Sequence, residues 1–125
     1  MEIVIRNSSD KPIYEQIASQ IRDDILTGKI TPGEALPSIR SLAASLRISA
    51  ITTKRAYSDL EAQGYIETVP GKGCFVSANN LELLREDRLR HVEASLARVI
   101  ADARIAGLSM QELHEMLDFQ LEEEE

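Results

Sequence analysis

The chain has no tryptophan, one cysteine and only 4% aromatic residues. A lone Cys74 excludes an internal disulfide and a cysteine-rich zinc site, in keeping with a reducing compartment. No apolar run approaches the roughly 20 residues that a membrane span requires, and no signal-peptide pattern opens the chain. A cytoplasmic protein with no membrane partner is expected. Also missing are a nucleophile motif and a phosphate-cradling glycine loop, and His91 and His114 lack metal-ligand spacing. No enzymatic activity, cofactor or metal is therefore expected. Nor is there a surplus of positive charge: 14 Lys and Arg against 21 Asp and Glu leave a net of −7. At face value this argues against nucleic acid as a partner, because phosphate binding needs local positive charge.

What the chain does hold is enough for one small domain with a short appendage. Its 125 residues are 43% hydrophobic and 28% charged, a globular composition. The charge is unevenly placed. Residues 1–76 carry nine basic and nine acidic side chains, whereas residues 77–125 carry five and twelve, which accounts for the whole −7. Four of those acids form the terminal run Glu122 to Glu125, which reads as a solvated face. Between Leu36 and Ser58 there are four basic residues (Arg40, Arg47, Lys54, Arg55) and no acid. The average hides a basic surface.

Hydrophobic periodicity sets the expected elements. After Ile3 and Ile5, Asp10 and Pro12 mark a helix start. Ile13, Ile17, Ile21 and Ile25 then step by one helical turn, and Gly28 stops the pattern. Thr31-Pro32-Gly33-Glu34 reads as a tight turn. Ser38 caps a short helix with Ile39, Leu42, Ala43 and Leu46 on one face. Ser49 caps a second helix that Gly64 ends, with Thr53, Ala56, Tyr57 and Leu60 facing inward. Only Arg47 and Ile48 link the two, so they cross steeply. Two β-prone runs, 65–69 and 74–76, flank Pro70-Gly71-Lys72-Gly73 and predict a hairpin. The order helix, helix, helix, hairpin is that of a winged helix-turn-helix, expected over residues 1–77. After the polar break Ala78-Asn79-Asn80, residues 78–125 form a helical tail. It has a long helix from about Leu81 to Ala106, a stop at Gly107 and a capping box Ser109-Met110-Gln111-Glu112. The expected class is mainly α with a small β-hairpin.

A recognition helix must enter the major groove and bring its N-terminal residues to base edges. The second helix of the pair opens with Ser49, Ala50, Ile51 and Thr52, short enough for close approach, and Lys54 and Arg55 follow with long cationic arms. Lys54 reaches a phosphate or a guanine edge, while Arg55 is placed for either solvent or phosphate. Arg40 lies near the start of the preceding helix, and Lys72 rides the hairpin tip beside Gly73, where the chain can enter a minor groove. Ser38 and Ser49 are either caps alone or caps that also offer helix N-termini to phosphate. Cys74 reads as a small packed strand residue, with a redox role as the sharper alternative.

These residues resemble the GntR family of bacterial transcription regulators. The matching text begins at residues 12–17 (Pro-Ile-Tyr-Glu-Gln-Ile), 28–34 (Gly-Lys-Ile-Thr-Pro-Gly-Glu) and 36–40 (Leu-Pro-Ser-Ile-Arg). It continues with Leu42-Ala43, residues 52–57, residues 60–67 and Gly71-Lys72-Gly73, so that it spans about residues 10–77. The resemblance implies a winged-helix operator binder whose DNA contacts carry over to Arg40, to Ser49 through Thr52 with Lys54, and to the wing at Lys72 and Gly73. Two departures stand out. Ala50 replaces a common Arg or Asn, and Cys74 replaces the Thr or Ser that usually follows the wing glycine.

The short tail resembles the YtrA-type subfamily, whose members are often linked to ABC-transporter operons and whose tails serve dimerisation. Physical reasoning agrees, because two helices with narrow apolar stripes cannot enclose a core alone. The stripe Leu89, Val92, Leu96, Val99 and Ala103, joined by Leu113, Leu117 and Leu121, is the expected dimerisation surface. A homodimer would present two recognition helices to a palindromic operator in double-stranded DNA, and a repressor is the expected role. A small-molecule effector between the tail helices would alter the spacing of the heads, though no residue points to one. The alternative reading is a winged-helix protein–protein adaptor whose acidic tail binds a basic partner.

Overall fold

The computed structural model describes residues 1–79 and 81–124; Asn80 of the expected polar break and Glu125 of the acidic run lie outside the described residues. The helices are α1 (Ile13–Leu26), α2 (Ile39–Leu46), α3 (Ala50–Ala62), α4 (Leu81–Ile105) and α5 (Met110–Glu124). Strands β1 (Ile66–Val69) and β2 (Gly73–Val76) pair antiparallel between α3 and α4. No described helix is long and apolar enough to cross a membrane.

The chain forms two compact units, Met1–Arg85 and Glu86–Glu125. This division falls within α4, whose first turn carries Leu81 and Leu84, both packed against the core of the first unit.

That core grows from the isoleucine stripe of α1. Ile17, Ile21 and Ile25 are buried and Ile13 is half-buried, joined by Ile30, Leu36, Leu42, Ala56, Tyr57, Leu60, Tyr65, Ile66 and Val76. Burial of each large aliphatic side chain contributes about 2 kcal/mol, so this cluster is the main source of the unit's stability. Pro12 stands at the N-cap of α1, and no side chain caps that end. A buried Gln16 organises the segment before it. Its carboxamide oxygen accepts from the Arg6 N–H at 2.8 Å, and its amide nitrogen donates to the Arg6 and Lys11 carbonyls at 3.0 and 2.9 Å.

The expected turn at 31–34 closes with a 3.0 Å bond from the Glu34 N–H to the Thr31 carbonyl. The residues after it lie along the free edge of β2. Leu36 N–H donates to the Cys74 carbonyl and Val76 N–H to the Glu34 carbonyl, each at 2.9 Å, with Ala35 bridged to Phe75. This third short segment has no sequence pattern, since a single bridged residue shows no alternation. It fixes the hairpin to the body of the unit.

In the second unit α4 ends at Ile105, two residues before Gly107 at φ 77°, and the capping box forms at the start of α5. Ser109 N–H donates to the Glu112 carboxylate at 3.0 Å, and Glu112 N–H donates to the Ser109 hydroxyl at 3.1 Å. The stripe on α4 is bare: Leu89, Val92, Leu96 and Val99 are between 45% and 61% exposed. Leu117 and Leu121 are likewise exposed and Leu113 is half-buried. Ala103 departs from the expected dimerisation stripe. It is only 4% exposed, because its own chain covers it where α4 turns towards α5.

Candidate nucleic-acid interface

The sequence of α2 and α3 dictates how each helix is anchored and which face is left over. Ser38 is the N-cap of α2, its hydroxyl accepting from the Ser41 N–H at 3.0 Å. Ser49 is the N-cap of α3, accepting from the Thr52 N–H at 3.1 Å and donating to the Thr52 hydroxyl at 2.8 Å. Both serines are thus committed as caps, and what they offer an anion is the helix end that they fix. Between the helices, α2 ends on Arg47 in the left-handed region, with φ 57°, and the Ile48 N–H returns to the Ala43 carbonyl at 3.0 Å. This two-residue corner turns the chain from one helix to the next.

The buried residues of α3 are Thr53, Ala56, Tyr57 and Leu60, the face that the spacing predicts. At about 100° per residue, Ile51 lies on the side of α3 opposite that face. It is 82% exposed, an unusual cost for a β-branched aliphatic residue unless something else covers it. Ala50, Lys54 and Arg55 are exposed beside it, and Thr52 is half-buried. Lys54 lies on the flank towards the hairpin, lining a groove of about 500 Å³ with Ile39, Thr68 and Cys74. Arg55 lies on the other flank, its guanidinium stacked 3.7 Å from the centre of the Tyr14 ring in α1. Arg40, in the first turn of α2, is exposed.

The wing is built with the same economy. Lys72 N–H donates to the Val69 carbonyl at 2.9 Å across Pro70 and Gly71, and Gly71 has φ 77°. Pro followed by Gly at these positions is the combination that a type II turn demands. Gly73, at φ 112°, starts β2 opposite Val69. Lys72 and Gly73 are exposed at the tip. The Thr68 hydroxyl donates to the Glu61 carboxylate, tying β1 to the last turns of α3. Cys74 is half-buried opposite Thr68, whose hydroxyl lies 3.5 Å from its sulfur.

Every cationic side chain proposed from the sequence for this surface (Arg40, Lys54, Arg55 and Lys72) is therefore solvent-facing in the first unit. Among the described residues no ion pair neutralises any of them; Asp87 instead has Arg90 at 3.8 Å and the His91 ring at 3.6 Å, both in the tail. Sequence reasoning missed Tyr14. Its ring meets Arg55 only through packing of α1 on α3, and the one available signal was an aromatic residue next to the isoleucine stripe. Among the described residues, no group of three or more His, Cys, Asp or Glu could hold a metal ion.

Residues 13–76 match the family described as bacterial regulatory proteins, gntR family. The chain is 38% identical to the HTH-type transcriptional repressor YtrA of Bacillus subtilis over 92% of its own length and 88% of that protein. The crystal structure of a transcriptional regulator from Oenococcus oeni superposes with a TM-score of 0.78 at 28% identity, covering 94% of this chain and 98% of that one. The crystal structure of AraR(DBD) in complex with operator ORX1 has a TM-score of 0.55 at 30% identity, covering 62% of this chain and 96% of that one. The chain belongs to the GntR family of bacterial regulatory proteins, as a transcription regulator with a DNA-binding winged helix-turn-helix.

Proposed function

We propose that the chain is a cytoplasmic, homodimeric repressor that occupies a palindromic operator. The observation that carries this reading is the exposed face of α3, where the bare Ile51 stands between Lys54 and Arg55, neither of which joins an ion pair among the described residues. An apolar side chain flanked by cations suits a groove floor carrying thymine methyl groups between two rows of phosphates. Arg40 on one side and the Lys72 wing on the other extend the contact to the flanking backbone. Ala50, short and exposed, lets the helix end approach the bases and offers them an apolar surface.

The tail supplies the second copy. The bare leucines and valines of α4, like Leu117 and Leu121 of α5 and the half-buried Leu113, leave apolar side chains in water that self-pairing would cover at once on both protomers. The two heads of such a dimer would read two half-sites about one helical turn, or a multiple of it, apart. The name of the Bacillus subtilis relative supports repression. Resemblance to the short-tailed subfamily points to a transporter operon as the target.

The test combines footprinting of the protein's own upstream region with sedimentation of the free protein. Symmetric protection of two half-sites by a dimer is the expected result. A monomer at micromolar concentration, or protection without sequence preference, contradicts the reading.

A further inference from the structure

We propose that Tyr14 is a positioning residue for DNA binding, its ring holding the Arg55 guanidinium in the pose that grips a backbone phosphate at the groove edge. The proposal rests on the reading of α3 as the groove-facing helix.

Three observations carry it. The first is the stack itself, with the guanidinium carbon 3.7 Å from the ring centre. Stacking uses the flat face of the guanidinium and leaves its N–H donors pointing outward in the plane, where a phosphate is held by two of them at once. The second is that the ring has a fixed seat. Tyr14 is half-buried and packs against the core of the first unit, so the guanidinium rests on a rigid platform rather than on another mobile side chain. A free arginine loses much rotamer freedom on meeting DNA, and an arginine already stacked loses less.

The third observation is the absence of a carboxylate on Arg55. No described ion pair includes it, even though Asp59 follows one turn later on the same helix. Its neighbour in sequence is the cation Lys54, and Lys11 stands three residues before Tyr14. A purely structural tie between α1 and α3 needs no charge, since buried Ile17, Ile21, Ala56 and Leu60 already join these helices. An exposed cation, stacked and unneutralised on the flank of the recognition helix, is suited to an anion that arrives from outside.

The experiment titrates a duplex of the protein's own upstream region at several salt concentrations with Tyr14→Leu, Tyr14→Phe, Arg55→Ala and the Tyr14→Leu/Arg55→Ala double variant. Lys54→Ala serves as a separate probe of α3, and thermal unfolding of each sample registers any loss of fold. Tyr14→Leu and Arg55→Ala are each expected to weaken binding about tenfold. Each lowers the slope of log affinity against log salt by about one. The double variant binds no more weakly than Arg55→Ala, and Tyr14→Phe binds as the parent does. Wild-type affinity and slope in Tyr14→Leu overturn the proposal, as does a double variant weaker than Arg55→Ala by the full effect of Tyr14→Leu. If Tyr14→Leu binds normally while Lys54→Ala loses affinity, the positioning role alone fails. If both bind normally, the reading of α3 fails with it.

Discussion

The Tyr57 hydroxyl donates a 2.7 Å hydrogen bond to the Pro37 carbonyl, joining the core face of α3 to the segment that leads into α2. The bond ties α3 to the residue immediately before the Ser38 cap of α2. Burial first, and the neighbouring Cys74 second, push the phenol well above its ordinary value of 10.0. The folded state therefore favours the neutral, donating form. Its contribution is complete below about pH 10 and is lost as pH rises further, where the unfolded chain ionises more readily. Tyr57→Phe is expected to cost about 1 kcal/mol at neutral pH, since a carbonyl loses its donor. It should also remove part of the alkaline destabilisation. Urea melts of both proteins at neutral and alkaline pH measure the two effects.

Arg47 takes φ 57°, a left-handed conformation that a side chain disfavours by about 1 kcal/mol relative to glycine. Arg47→Gly is expected to raise stability by a few tenths to about 1 kcal/mol, because the relief exceeds the added freedom of the unfolded chain. A higher urea midpoint with an unchanged m-value is the signature.

Hydrogen bonds from the Ser109 backbone, and then from its side chain, hold the Glu112 carboxyl below its usual range. A lowered pKa means that this cap contributes above the ordinary carboxylate value of 4.5 and is lost as pH falls. Helicity of the tail, read by circular dichroism, should therefore decline on acidification. In Glu112→Gln, which keeps a neutral acceptor, that decline should be shallower.

Leu96 lies at the middle of the bare stripe on α4 and is 52% exposed. Leu96→Glu is expected to shift the protein to a monomer by sedimentation while leaving the unfolding of the first unit in place. Operator affinity should fall by at least tenfold, because two half-sites then bind separately rather than in one event. A Leu96→Glu protein that remains dimeric would remove α4 from the interface.

Much of the fold was legible because its signals are local. Ser38, Ser49 and Ser109 act as caps through bonds three residues along the chain. The α3 face of Thr53, Ala56, Tyr57 and Leu60 follows from helical spacing alone. Pro and Gly at 32–33 and 70–71 announce the two turns. What escaped depends on residues that meet only after folding. Gln16 grips a distant backbone segment, Ala35 bridges Phe75 without any alternation to betray a strand, and Tyr14 finds Arg55 from another helix. Ala103 fits the α4 stripe by period, yet the turn into α5 buries it, and periodicity contains no information about that corner.

The net charge of −7 belongs to the tail, so it does not oppose a head that binds phosphate. The central claim is that Arg40, the start of α3 and the wing form one DNA-binding surface. Its most direct measurement is the salt dependence of binding to the protein's own upstream region, for the parent and for the triple variant Arg40→Ala/Lys54→Ala/Lys72→Ala. All three side chains are exposed, so the variant should fold and unfold as the parent does. The expected result is a slope shallower by about three and loss of sequence-selective binding. A triple variant that binds the same duplex with the parent's affinity and slope would contradict the account.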